Sequence, residues 1–220
     1  MPYRIAPVVT GEIYHIFNRG VEKRSVFLDE IDYRRFYKTL VYYRRANVPT
    51  RFSFRSRKLL NVESKDDKQL IELLCFTLMP SHFHLLLRQL SDGGIANYVG
   101  RLTNSYTRYF NTKHKRVGHL FQGPYKAVIV ETDEQLLHLS RYIHLNPLVG
   151  GVVSSLKSYR RSSYPEYLGC SKENVCRREE ILNMFSEPRE KKYEKFVLDQ
   201  VDYARSLEKI KKELIDENLY

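Results

Sequence analysis

Leu73-Leu74-Cys75-Phe76-Thr77-Leu78-Met79-Pro80-Ser81-His82-Phe83-His84-Leu85-Leu86-Leu87-Arg88 decides the fold. Leu73–Met79 is an apolar run of strand length, Pro80-Ser81 is a turn, and His82–Arg88 is a second strand, so the segment predicts a hairpin. Upstream, Glu12–Asn18 (EIYHIFN) is rich in β-formers and closes on Arg19-Gly20. Between that strand and the hairpin, Asp29–Ala46 places Ile31, Phe36, Leu40 and Tyr43 near helical spacing, and Asn47–Lys68, polar and holding Pro49, reads as a loop. Downstream, Ser91-Asp92-Gly93-Gly94 opens a long helix with one apolar stripe of Ile95, Val99, Leu102, Tyr106 and Tyr109. Asn111–Gly123 is a basic loop and Tyr125–Glu131 (YKAVIVE) another strand. Thr132 then caps a helix, Gln135 completes a capping box, and Pro147 predicts an end at Asn146. The order is β-α-β-β-α-β-α. Its first six elements are the ferredoxin-like split βαβ plan, an α+β fold whose antiparallel sheet carries helices on one face. Beyond about Ser158 the pattern turns helical and polar, and Glu190–Leu214 reads as a charged helix. The expected organisation is one domain over residues 1–157 and a helical C-terminal extension over 158–220.

The chain has 220 residues, 42% of them hydrophobic, with 17 Tyr and 11 Phe, which argues against wholesale disorder. No apolar run approaches the roughly 20 residues of a membrane-spanning helix. Three cysteines, none in a CxxC pair, do not make a disulfide framework. A soluble intracellular protein is expected. The net charge of +11 is concentrated: residues 1–60 hold 13 basic and 5 acidic side chains, and residues 101–128 hold six basic and none acidic. Aromatics interleave with these bases in Tyr42-Tyr43-Arg44-Arg45 and Tyr106-Thr107-Arg108-Tyr109-Phe110. Such blocks suit a polyanion, with rings stacking on unpaired bases while cations hold phosphates. Either block alone reads more readily as a solvated face with inward-packed tyrosines; the two together favour nucleic acid.

His82 and His84 alternate with Phe83 on one strand, so both imidazoles point to one side of the sheet. That spacing can chelate a cation, or can leave two ordinary histidines on a wet face. Tyr142 and Asn146, four apart near a helix end, share a helix face beside the apolar stripe of Leu136, Leu139 and Ile143. There an amide oxygen could complete a cation site one turn from a tyrosine hydroxyl. Tyr106 and Tyr109 continue an apolar stripe and read as core. Asn18-Arg19-Gly20 could touch nucleic acid or simply form a turn, and His119 and Gln122 lie in the basic loop. Cys170 and Cys176 lack a matching His or Cys pair, which argues against a zinc site.

Four motifs in order resemble the single-tyrosine HUH transposases, in particular the REP-associated tyrosine transposase group and its insertion-sequence relatives. They are Tyr14-His15-Ile16-Phe17-Asn18-Arg19-Gly20, Leu78-Met79-Pro80-Ser81-His82-Phe83-His84-Leu85-Leu86, Gly118-His119-Leu120-Phe121-Gln122-Gly123-Pro124-Tyr125-Lys126 and Arg141-Tyr142-Ile143-His144-Leu145-Asn146-Pro147. The resemblance spans about Tyr14 to Gly169 and departs at Pro124, where the family often has Arg. It implies that His82, His84 and Asn146 ligate Mg²⁺ or Mn²⁺, and that Tyr142 attacks phosphorus to form a 5′-phosphotyrosine link with release of a 3′-hydroxyl. It also implies a single-stranded or hairpin DNA partner from palindromic repeat ends, met by Asn18, Arg19, Arg101, Arg108, Lys113, Lys115, Arg116, His119 and Lys126. Family members differ in whether the tyrosine helix serves its own subunit or a partner's, so a homodimer is among the implied assemblies. The implied location is cytoplasmic, at the nucleoid. The expected activity is that of a metal-dependent DNA transposase or nickase that cleaves and rejoins strands. The alternative is a domesticated relative that holds structured DNA or RNA without cutting it.

Overall fold

The computed structural model describes residues 8–48, 52 and 68–206. Most of the loop expected over Asn47–Lys68, and residues 207–214 of the expected terminal helix, lie outside the described residues. Strand β1 (Ile13–Arg19), helix α1 (Glu30–Tyr42), strands β2 (Ile71–Met79) and β3 (His82–Gln89), helix α2 (Gly94–Lys113), strand β4 (Lys126–Val130) and helix α3 (Asp133–Val149) follow in that order. Helices α4 (Tyr164–Tyr167), α5 (Glu179–Leu182) and α6 (Arg189–Leu198) come after them. The sheet order is β2-β3-β1-β4, with β1 antiparallel to both β3 and β4. Strand β3 therefore lies between the two strands joined through α1, which is the split βαβ arrangement.

The chain forms two compact units, one holding the residues up to Leu74 with Pro80–Glu131, the other Cys75–Met79 with the residues from Thr132 onward. In the first, the β1–β3 register sets Asn18 opposite Phe83 and Arg19 opposite His82, so the two faces of the sheet separate cleanly. On one face Phe83 meets Phe36 of α1 at 5.3 Å between ring centroids, and Phe36 meets Tyr106 of α2 at 5.0 Å. Both helices thus cover the Phe83 face. Tyr106 is fully buried and its hydroxyl donates to the Val26 carbonyl, as a core residue should. Tyr42, Tyr43 and Phe110 are buried too, and the Tyr109 hydroxyl donates to Asp32 at 3.0 Å. The aromatics interleaved with basic residues are therefore packing groups, not platforms for stacked bases. Their helical spacing turns them inward.

Asp29 caps α1 by accepting from the Asp32 backbone N–H at 3.0 Å. Asp32 itself is buried, yet accepts from Lys113 at 2.8 Å, from the Leu28 N–H at 3.0 Å and from the Tyr109 hydroxyl. His114 Nε2 also lies 3.0 Å from it. Burial acts to raise the Asp32 carboxyl, but these hydrogen bonds more than offset it and hold it below the usual carboxylate range. The start of α1 is thereby pinned to the end of α2.

In the second unit, Thr132 Oγ1 accepts from the Gln135 N–H at 3.1 Å, the expected cap of α3. The helix does not stop at Asn146. It runs through Pro147 to Val149, and the Gly150 N–H donates to the Asn146 carbonyl at 2.8 Å. The residue before proline is disfavoured in the α region but not barred from it, and Pro147 sits so near the end that its missing donor breaks little. His144 is buried on the inner side of α3, with Nδ1 2.7 Å from the Tyr193 hydroxyl and Nε2 2.8 Å from Ser163 Oγ. Ser163 Oγ also accepts from the Phe76 N–H at 2.9 Å, and the Leu78 N–H donates to the Arg161 carbonyl at 2.9 Å. The Arg141 guanidinium lies 4.2 Å from the Phe196 ring centroid, so α6 is held to α3 at two levels.

Candidate active site

The face of the sheet opposite α1 and α2 gathers the chemistry. Register places His82, His84, Leu86 and Arg88 on it beside Arg19, Phe17, His15 and Ile13 of β1, with Lys126 of β4 opposite Phe17. The expected projection of both imidazoles to one side is met: the His82 and His84 rings lie 5.0 Å apart between centroids and nearly perpendicular, at 87°. Burial, with Arg19 nearby, lowers the His82 imidazole to about 4. Burial, then the charges of His15 and His82, lowers His84 further from its ordinary value. Both rings are therefore uncharged at neutral pH, the form in which imidazole binds a cation.

Each ring has one nitrogen engaged. His82 Nδ1 lies 3.0 Å from Ser81 Oγ, its one hydrogen-bond partner among the described residues. His84 Nδ1 lies 2.8 Å from Nε2 of His15. The donor set fits a divalent metal that accepts imidazole nitrogen together with oxygen ligands. Among the described residues no group of three or more His, Cys, Asp or Glu side chains could hold a metal, so a cation here would need oxygen donors of another kind, such as an amide, water or phosphate.

Two cations flank the pair on the same face. Arg19 is exposed at the end of β1 and its Nε donates to Gln122 Oε1 at 2.7 Å. The Lys126 ammonium is 5.8 Å from the Phe17 ring centroid, and that ring stacks on His15 at 4.8 Å. Loop 118–124 is stitched to the end of β1, because Asn18 Nδ2 donates to the Gly123 carbonyl at 3.2 Å, the Gln122 N–H donates to the Arg19 carbonyl at 2.8 Å, and Gly20 bridges to Phe121. A Cβ on Gly20 would collide with the Arg24 carbonyl oxygen, so only glycine fits where the chain leaves the strand. Beside this stitching, a polar cavity of about 190 Å³ is lined by Asn18, Thr103, Asn104, Thr107, His119 and Tyr125.

The basic residues singled out in the sequence divide by what they touch. Arg108, Lys115, His119, Lys126 and Arg19 are exposed. Arg101 donates to the Ala46 carbonyl at 3.0 Å and Arg116 to Asn111 at 3.2 Å. Lys113 bridges Asp29 and Asp32; burial opposes its charge, but hydrogen bonds to the two carboxylates raise its pKa. Its charge is neutralised within the fold by partners some 80 residues away. Asn18 is buried and serves the loop.

Tyr142 and Asn146 belong to the second unit. Tyr142 is 51% exposed, and Asn146 is half-buried with Nδ2 donating to the Tyr142 carbonyl at 3.3 Å, so the pair shares one face of α3 as its spacing predicts. His144, between them in sequence, turns the other way into the His144–Tyr193–Ser163 network. Residues that local reading misses are His15, Phe17 and Ser81. Alternation along β1 puts His15 and Phe17 on one face, but that they meet His84 follows only from the register of strands far apart in sequence.

Residues 9–146 match the family model described as transposase, IS200 like. No curated protein matches the chain. A solved REP-associated tyrosine transposase bound to a REP hairpin is 13% identical, with a TM-score of 0.57 over 80% of this chain and 89% of that one, and so shares the fold. The crystal structure of a proposed transposase from Deinococcus radiodurans R1 is 17% identical, with a TM-score of 0.37 over 65% of this chain and 95% of that one. Among the described residues no helix is long and apolar enough to cross a membrane.

Proposed function

Because the chain belongs to the IS200-like transposase family, we propose that it cleaves and rejoins single-stranded or hairpin DNA through a covalent tyrosine intermediate, acting at the nucleoid. The observation that carries this reading is the pair of uncharged imidazoles on one sheet face, each with Nδ1 engaged and with Arg19 and Lys126 beside them.

His82 and His84 would hold the cation through their other ring nitrogens, with Asn146 Oδ1 as the third protein ligand. A bound Mg²⁺ or Mn²⁺ would polarise the scissile phosphate and stabilise charge developing on its oxygens. Tyr142, exposed on α3, supplies the nucleophile. Its Oη forms a bond to phosphorus, the bond from phosphorus to the 3′ oxygen breaks, and that oxygen leaves with the electron pair. The tyrosine's proton is lost through solvent and the 3′ oxygen takes one up, giving a 3′-hydroxyl and a 5′-phosphotyrosine. Attack by another 3′-hydroxyl reverses the step and rejoins the strand. Arg19 and Lys126 orient the phosphate backbone, and Arg108, Lys115 and His119 extend the contact along the strand.

The test incubates the protein with end-labelled hairpin DNA and Mn²⁺, followed by a denaturing gel and peptide mapping. A covalent adduct on Tyr142 is expected, and Tyr142→Phe should abolish it while leaving DNA affinity within about 2-fold, since affinity rests on phosphate contacts. An adduct mapped to another tyrosine overturns the nucleophile; binding without any adduct makes the chain a DNA-holding relative.

A further inference from the structure

The third histidine of the sheet face has no part in the chemistry above. His15 comes from β1, pairs in register with Leu86, and packs its ring 5.1 Å from His84 and 4.8 Å from Phe17. Its Nε2 lies 2.8 Å from His84 Nδ1. A contact this short between two ring nitrogens holds one proton, so one ring donates and the other accepts. The same nitrogen of His82 is engaged by Ser81 Oγ at 3.0 Å. Both members of the His-x-His pair are thus gripped at Nδ1, which directs metal binding to Nε2 in each.

The geometry points to His15 as a positioning residue for the cation site: its Nε2 accepts the Nδ1 proton of His84 and so locks His84 in the tautomer and orientation whose Nε2 lone pair faces the metal. This rests on the reading of His82 and His84 as ligands. His15 is not itself a ligand, because the nitrogen nearest the pair is already committed to His84. A bond to a ligand's second nitrogen fixes the ring and raises its basicity, and losing such a partner weakens metal affinity by roughly 10- to 100-fold. Phe17 packs against both rings, 4.8 Å from His15 and 5.8 Å from His84 between centroids, and so preserves the alignment.

Two measurements on the full chain, both without DNA, test this. Long-range ¹H–¹⁵N correlation spectra of the metal-free protein should show His84 protonated on Nδ1; protonation on Nε2 would overturn the proposal. Titration with Mn²⁺ alone should show roughly 10- to 100-fold weaker binding for His15→Phe, which keeps the stacked ring but has no acceptor. His15→Gln, whose amide oxygen can accept the same proton, should recover most of it. Equal Mn²⁺ affinity in wild type and His15→Phe would also sink the idea, with melting curves confirming that the variants fold. Failure of the adduct assay removes the cleavage reading and leaves this result standing, whereas a normal adduct with an Nε2-protonated His84 removes only His15.

Discussion

Burial holds His144 at about 3 and His82 at about 4, so neither region's imidazoles carry charge at neutral pH. The two regions use that state differently. His144 has both ring nitrogens committed to protein hydroxyls, from Tyr193 and Ser163, and joins α3 to the C-terminal helices and to the end of β2. His82 and His84 sit on a sheet face with each Nδ1 held by a neighbour, among cationic side chains. A depressed histidine pKa therefore does not by itself mark a site. On the proposed function, His144 differs from the sheet-face pair in having both ring nitrogens bound to protein hydroxyls.

The largest effect that would break this contrast lies at the sheet. His84→Ala should lower adduct formation on the order of 1,000-fold, a loss comparable to removing a preorganised transition-state contact, measured under conditions where the variant's urea curve shows it folded. A variant that cleaves normally would turn the sheet-face histidines into struts as well. His144→Ala should do the reverse. Deleting a fully buried ring and its two hydrogen bonds should cost about 3 kcal/mol of stability, read from urea unfolding, because a cavity remains and both bonds are lost.

Acid sharpens the same contrast. A histidine whose folded pKa is depressed contributes stability that is complete above its unfolded value and lost as pH falls through the gap. For His144 that window runs from 6.5 down to about 3. Wild-type stability should fall across it, and His144→Gln should flatten the slope by about 1.4 kcal/mol per pH unit at most, the value for one proton. An unchanged slope would mean that His144 is not held neutral in the fold. The smallest expected effect transfers the argument to lysines. Lys115→Met should reduce the salt dependence of single-strand binding by about 0.7 in slope. Lys113→Met should leave the slope alone and lower stability instead, since Asp32 would lose its nearest cation.

Much of the split βαβ plan was legible because it is written locally. The Pro80-Ser81 turn, the HFH alternation, the α2 stripe and the Thr132 cap each depend on residues a few positions apart. The His82–His84 face and the shared face of Tyr142 and Asn146 follow from period-2 and period-3.6 geometry in the same way. The rest depended on distance along the chain. His15 and His84 are 69 residues apart and meet through strand register, and Lys113 finds Asp32 from 81 residues away. Nothing in the sequence of the basic loop tells Lys113, committed to carboxylates, from exposed Lys115. The end of α3 lies beyond the sequence expectation because the rule for residues before proline is a preference, and one extra turn beyond Asn146 outweighs it.

The hydrogen bonds from residues 159–163 to β2 have a consequence for colloidal behaviour. β2 is the outermost strand of the sheet, and its final stretch, Cys75–Met79, is wholly apolar apart from Thr77. The Ser163 N–H donates to the Phe76 carbonyl, the Leu78 N–H donates to the Arg161 carbonyl, and Thr77 bridges to Ser162. That short irregular segment blunts an apolar strand margin which would otherwise offer unpaired backbone groups to any passing β-strand. A chain shortened before residue 159 would bare that margin, and self-association would be its first symptom.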